Sequence, residues 1–453
     1  MDSTITTAGR ATTPSDTATG SPVIAIAGSL LIGFVGAIGL VAGPAAGGTE
    51  SVIIGSILLA FGLGWGILRV LSIRFSDQPQ RWAAVPAAAM GTTGLVLLLV
   101  QPGVGGMDLL SWLWPPAILA LAVWMTIQFR GDLAGRGRWL LYPVIAVLAL
   151  SSIGGGLQTV MTAVDQATLS TTGQLVDIGG RSLSIDCIGT GSPTVVFQSG
   201  LAEGSAYWGR IASSVAPTAR VCIYDRAGRG RSDPASAPQD GRAVAADLHA
   251  LLAASGNAGP YILVGHSTGA PYVRVFAATY PDEVAGMVLL DGQPADAFTS
   301  LPAFAGFYSV IRPVSALFPT AARLGVFRLV GAFLPADLPS PWAEREHADQ
   351  STTRIQSGQR DEFAVLPATL SEAMALTTIG AKPLVVVTAT VDMQAGWAEA
   401  HGAMAGLSSN SSHRLATGQT HTSLIVTESG AAIASQAVLD VIASVRTGAP
   451  LGE

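Results

Sequence analysis

One short run carries the most chemical information in the chain: Gly265-His266-Ser267-Thr268-Gly269. It follows an apolar stretch at 261–264 and precedes an apolar helical stretch at 270–280, so it reads as a sharp strand-to-helix turn. A serine in such a turn projects its hydroxyl outward. Small residues are required two positions to either side because neighbouring backbone comes close. Ser267 is therefore the candidate nucleophile. A serine hydroxyl attacks poorly at neutral pH and needs a base within hydrogen-bond reach. The histidines are His249, His266, His347, His401, His413 and His421. His266 adjoins the serine, but such a turn points its side chain away from the serine oxygen. His249 and His401 fall on helical stretches and His413 begins a strand. His421 stands in a Gly/Thr loop, Gly418-Gln419-Thr420-His421-Thr422-Ser423.

The elements that must position these residues are short apolar, β-branched runs at 174–178, 182–188, 194–198, 220–224, 261–264, 286–290, 383–388 and 413–416. Eight strands with helices between the later ones predict an α/β domain with a mostly parallel sheet. It is expected to cover residues 171–453.

Over that length the chain resembles the α/β-hydrolase superfamily. The resemblance rests on the 265–269 motif in its strand–turn–helix setting. It rests also on Tyr224-Asp225-Arg226-Ala227-Gly228-Arg229-Gly230-Arg231-Ser232-Asp233, an arginine-bearing loop after the fourth strand that one bacterial branch carries. The GxG in this loop lacks the rest of a dinucleotide fingerprint, so its expected role is to shape one wall of the site.

The resemblance implies His421, in the loop after the last strand, as the base. The acid precedes it in the chain. Asp392 stands at the usual position, in the turn Ala389-Thr390-Val391-Asp392, although relatives commonly have Gly where this chain has Ala389. The alternative is Asp291, at the end of the strand 286–290, a position some relatives use. A strand-end Asp is more often a turn or helix cap, so Asp392 is the expected acid. The oxyanion hole is expected from the backbone N–H groups of Thr268 and Leu201. Ser199-Gly200 replaces the family's common His-Gly, which matters little for a backbone donor. The stretch of about 292–382, with Phe304, Phe307, Tyr308, Phe318, Phe327 and Phe333, is expected to form a helical lid over an apolar acyl pocket. Most of these aromatics are expected to pack the lid onto the core.

In the resembled fold the second and fourth strands are antiparallel neighbours. Cys187 and Cys222, the chain's two cysteines, fall on them. Adjacent strands lie ~4.8 Å apart, within the reach of a disulfide, so a bond between them is expected. A register shift of one residue would put the side chains on opposite faces.

The first third is different in kind. After a polar Thr/Ala/Ser/Gly tail over residues 1–20, expected to be disordered, five apolar runs occupy 23–41, 52–71, 83–100, 109–129 and 139–160. Each approaches the ~20 residues a helix needs to cross a bilayer, and Pro115-Pro116 should kink the fourth. They predict a transmembrane region over residues 21–163, and four further runs behind the first argue against a cleavable signal peptide. Composition agrees: 49% hydrophobic and 12% charged residues, with a mean hydropathy of +0.48. The second connection is flanked by Arg69, Arg74 and Arg81, and the fourth holds Arg130, Arg136 and Arg138. The first and third carry no Lys or Arg. The positive-inside rule then places the arginine-rich connections in the cytoplasm. An odd number of spans leaves the α/β domain on the outer face of a cell membrane. Lys382 is the only lysine, a bias typical of G+C-rich bacterial coding sequences.

The formal net charge of −6 argues against a nucleic-acid partner. No CxxC or Cys/His cluster suggests a metal, and no cofactor is expected. The expected activity is hydrolysis of a carboxylic ester, or of an amide or lactone, on a small, apolar substrate beside the lipid bilayer. Serine at the elbow disfavours the epoxide hydrolases and dehalogenases of this fold, which use Asp there. The alternative is a catalytically silent sensor or binding module on a membrane anchor. The spans hold almost no ionisable residue to line a transport path.

Overall fold

The computed structural model describes residues 21–169, 173–334 and 337–452; the tail expected over 1–20 lies outside the described residues. Helices α1 (Pro22–Ala42), α2 (Glu50–Phe75), α3 (Ala84–Val100), α4 (Val104–Leu110), α5 (Trp114–Asp132) and α6 (Tyr142–Thr168) come first. Four stretches are long and apolar enough to cross a membrane: Pro22–Ala42, Glu50–Phe75, Arg81–Val100 and Gly137–Thr168. The pair α4 and α5, bent by 48°, makes a fifth if it counts as one broken span. The bend falls just ahead of Pro115 and Pro116. Prolines start a helix well but cannot continue one, having no N–H to donate.

The chain divides into two compact units. One holds 55–100, 117–150 and the described part of 1–43. Its core joins Ile26, Trp65, Leu68, Trp82, Met125 and Phe129. Its outward-facing side chains include Leu31, Leu99, Ile127, Val147 and Leu150, an apolar exterior suited to lipid rather than water.

The other unit holds 44–54, 101–116 and 151–453. Its centre is an eight-stranded sheet in the order β1-β2-β4-β3-β5-β6-β7-β8. The strands are β1 (Gln174–Asp177), β2 (Ser182–Ile188), β3 (Thr194–Gln198), β4 (Val221–Tyr224), β5 (Tyr261–His266), β6 (Val284–Leu290), β7 (Leu384–Ala389) and β8 (Ser411–Ala416). β2 pairs antiparallel with β1 and β4, and β3 to β8 run parallel. Alternation along the inner strands feeds two cores. Val196, Leu263, Met287 and Leu289 pack with the helices Gly241–Ala254 and Gly269–Thr279. Val195, Phe197, Ile262, Val264 and Val288 pack with Gly209–Val215 and Glu428–Thr447. Helices on both faces explain why β3, β5 and β7 are buried along their whole length.

Cys187 on β2 faces Cys222 on β4 in direct register, with Cα atoms 4.1 Å apart, and the two form a disulfide. The second and fourth strands are antiparallel neighbours, so both thiols lie on one face of the ladder.

Candidate active site

β5 runs through His266, and the chain then turns directly into the helix Gly269–Thr279. Ser267 sits at the corner with φ +55°, in the left-handed region. A serine there is strained, and such strain collects at functional turns. The flanking glycines are required by contact. A Cβ on Gly269 would come within 2.2 Å of the Gln198 carbonyl oxygen, and one on Gly265 within 2.7 Å of the Gly269 backbone. The corner is pinned to the end of β6: Ser267 N–H donates to the Leu290 carbonyl, and the Ser267 carbonyl accepts from Gln293 N–H at 2.8 Å.

His421 lies in the loop after β8, its side chain 43% exposed. Nδ1 of its ring is 2.6 Å from Oδ2 of Asp291. Asp291, not the expected Asp392, is thus the carboxylate that meets the histidine. Asp291 is buried just past β6 and takes two further donors, Ala389 N–H at 2.9 Å and Trp397 Nε1–H at 3.0 Å, both on Oδ1. Burial by itself would raise its pKa. The His421 hydrogen bond and charge and the other two donors outweigh this and hold the carboxyl below its ordinary value. Asp392 is exposed in the turn after β7. The correction has a simple physical origin. Both aspartates follow a strand end with left-handed backbone, φ +44° at Asp291 and +58° at Asp392, and only the fold decides which side chain turns inward.

The expected oxyanion loop lies against the elbow, since a Cβ on Gly200 would be 2.7 Å from the Ser267 Cβ. Arg226 fixes its carbonyl side, donating to the carbonyls of Ser199 and Gly200. Gly200 N–H donates to Glu203 Oε2. Leu201 follows directly in this loop, and Thr268 immediately precedes the helix Gly269–Thr279. Arg226 and Arg229 share Glu362 of the lid at 2.7 and 2.8 Å. The arginine-bearing loop therefore braces one wall, as its sequence suggested.

Sequence reasoning missed Glu203. Its Oε1 is 2.6 Å from Nδ1 of His266, whose Nε2 is 3.0 Å from the His421 carbonyl oxygen. The two imidazole rings lie 4.5 Å apart. Burial opposes both charges. Mutual attraction prevails, lowering the Glu203 pKa and raising that of His266. The faint signal was a lone Glu in an otherwise small, apolar loop, Ser199-Gly200-Leu201-Ala202-Glu203-Gly204.

Helices between residues 297 and 373 pack beside this region. Phe304, Leu301, Phe363 and Leu366 form a cluster with Trp397, and Leu201, Tyr308 and Phe318 pack against it. Phe307 and Phe333 instead face outward. A separate cavity of about 500 Å³ is lined by Asp225, Asp349, Arg231 and Arg345, among others, with none of Ser267, Asp291 or His421. In it, burial and the neighbouring Asp225 push the Asp349 carboxyl up to about 7.

Residues 193–415 match the family described as the alpha/beta hydrolase fold. Among curated proteins, the lipase LipV of Mycobacterium tuberculosis is 38% identical over 102 residues, 22% of this chain and 38% of that protein. The 2-(acetamidomethylene)succinate hydrolase of Mesorhizobium japonicum is 28% identical over 207 residues, 45% of this chain and 68% of that one. The chain spans less than half of other curated relatives, 46% and 40% for YqjL and YbdG of Bacillus subtilis. A crystal structure of DbjA superposes with a TM-score of 0.50 at 18% identity, covering 60% of this chain and 98% of that one, a likeness of fold. The eight-stranded sheet, the elbow and the match over residues 193–415 together show the α/β-hydrolase fold, preceded in the chain by helices apolar enough to span a membrane.

Proposed function

We propose that the chain is a membrane-anchored serine hydrolase that cleaves a carboxylic ester through an acyl-enzyme on Ser267. The observation that carries the reading is the left-handed Ser267 elbow in the same fold as His421 held by Asp291 at 2.6 Å. Ser267 Oγ attacks the ester carbonyl carbon while His421 Nε2 takes its proton. Asp291 accepts from Nδ1–H, fixes the tautomer and stabilises the imidazolium. The N–H groups of Leu201 and Thr268 receive the developing oxyanion. Collapse expels the alcohol, which takes the proton from His421. Water, deprotonated by the same ring, then releases the acid and restores Ser267.

Fluorophosphonate labelling of the full chain tests the nucleophile. The adduct is expected on the peptide bearing Ser267 and absent in Ser267→Ala, and a panel of esters of graded acyl length then ranks substrates. A folded protein that takes no label and turns over no ester would favour the catalytically silent reading.

The anchor reading draws support from the second compact unit. The first and third connections and the end of α6 belong to it along with the hydrolase sheet, and these are the segments the charge pattern assigns to one side of the membrane. A reporter fused after Glu453 should be active only outside the cytoplasm.

A further inference from the structure

Between residues 302 and 334 the lid exposes Phe307, Val310, Val314, Leu317, Leu329 and Phe333, the last 82% exposed. Among all exposed residues of that stretch only Ser309 is polar. Facing water, so large an apolar surface would be unusual. Its only charged residues are Arg312, Arg323 and Arg328, and all three turn inward to residues at or near the ends of α2, α4 and α6. Arg312 donates to the Gly47 carbonyl at 3.0 Å. Arg323 pairs with Glu50 at 2.6 Å and Asp108 at 3.1 Å, and Arg328 with Asp165 at 2.7 Å and Gln158 at 2.9 Å. Gly47 and Glu50 stand at the start of α2, Asp108 lies on α4, and Gln158 and Asp165 lie in the last turns of α6. The lid is therefore clamped to the ends of helices apolar enough to cross a membrane, its charges spent on the clamp and its apolar side chains left facing out.

We infer that this exposed face is seated in the surface of the lipid bilayer at that end of the spans, and that the substrate is a membrane-borne ester reaching Ser267 from the same leaflet. The inference rests on the anchored-hydrolase reading above. It adds a route: Phe307 and Val310 lie on the outer side of the helix Phe304–Val314, while Phe304 of that helix packs with Trp397 and Leu201 beside the site. A lipid tail entering from the bilayer would meet apolar side chains from the lid's rim to the elbow.

The test uses the full chain in anionic phospholipid vesicles. Both native cysteines are in the disulfide, so one added thiol can carry a nitroxide. Labels at Phe333→Cys and Val310→Cys should be relaxed more by lipid-soluble oxygen than by a water-soluble nickel chelate, with Gln436→Cys on the hydrolase surface showing the reverse. A label at Leu31→Cys in α1 reports anchoring by itself. Water-like relaxation at both lid positions with a lipid-like Leu31 overturns the lid inference alone; a water-like Leu31 overturns the anchor and the lid together. In turnover, Phe333→Asp should lower the rate on a vesicle-borne ester by about tenfold and leave that on a soluble short-chain ester unchanged. Equal losses on both would also overturn the inference.

Discussion

The carboxylate of Glu203 and the imidazole of His266 meet at 2.6 Å in the protein interior, and the far nitrogen of that imidazole holds the backbone of His421. The backbone carrying the candidate base thus hangs from a buried ion pair. Removing one member leaves the other charge without compensation, which typically costs ~3–5 kcal/mol. Glu203→Ala is expected to lose stability on that scale in urea unfolding. The pair also has a pH window. Glu203 has a lowered folded pKa, so its contribution is present above the ordinary carboxylate range and is lost as pH falls through the lowered value. His266 has a raised one, so its contribution is present below its ordinary 6.5 and is lost as pH rises through the raised value. Glu203→Gln should therefore flatten the stability–pH curve on both flanks. A curve of unchanged shape would show that the pair adds nothing.

The acid assignment is separable by two substitutions. Ser267→Ala and His421→Ala should each lower kcat by several orders of magnitude, because such groups act as a unit. Asp291→Asn should cost ~10⁴-fold in kcat by leaving His421 in the wrong tautomer. Asp392→Asn should stay near wild type, and a reversed order would return the role to Asp392.

Much of the architecture was legible because its signals are local. β-branched runs bounded by glycine and proline placed all eight strands within a few residues, and the proline pair lies just past the 48° bend between α4 and α5. The elbow was equally legible, since Gly265 and Gly269 are demanded by contacts a few residues away. The carboxylate was harder. Asp291 and Asp392 follow strand ends of similar backbone, and Asp291 lies 130 residues from His421. Glu203 pairs across 63 residues, so nothing near it in the chain distinguishes it from a surface acid.

Reducing the Cys187–Cys222 bond frees a loop whose ends are 35 residues apart. The chain-entropy estimate is ~3–4 kcal/mol. A Cys187→Ser/Cys222→Ser double variant should lose about that much in equilibrium unfolding and become indifferent to reductant. Continued sensitivity to reductant would locate the effect elsewhere.

Asp349 offers a test of opposite sign. Its carboxyl is pushed up to about 7 by burial and by Asp225, so the folded state holds the proton more tightly than the unfolded one. Stability from this group should fall as pH rises from the ordinary carboxylate range through about 7. Calorimetric Tm values between about pH 5 and pH 8 should decline less in Asp349→Asn than in the parent; parallel slopes would remove Asp349 as the source.

The Arg323–Glu50 pair joins positions 273 residues apart, and that separation orders events during synthesis. Glu50 and Asp108 leave the ribosome long before the lid exists, so for much of translation their carboxylates wait with no guanidinium to meet. The clamp can form only once residue 323 has been made. A nascent chain arrested before residue 323 would present the apolar helices with Glu50 and Asp108 still lacking their arginine. A hydrolase released from those helices would inherit the complementary defect, buried arginines at the lid's root with nothing left to neutralise them.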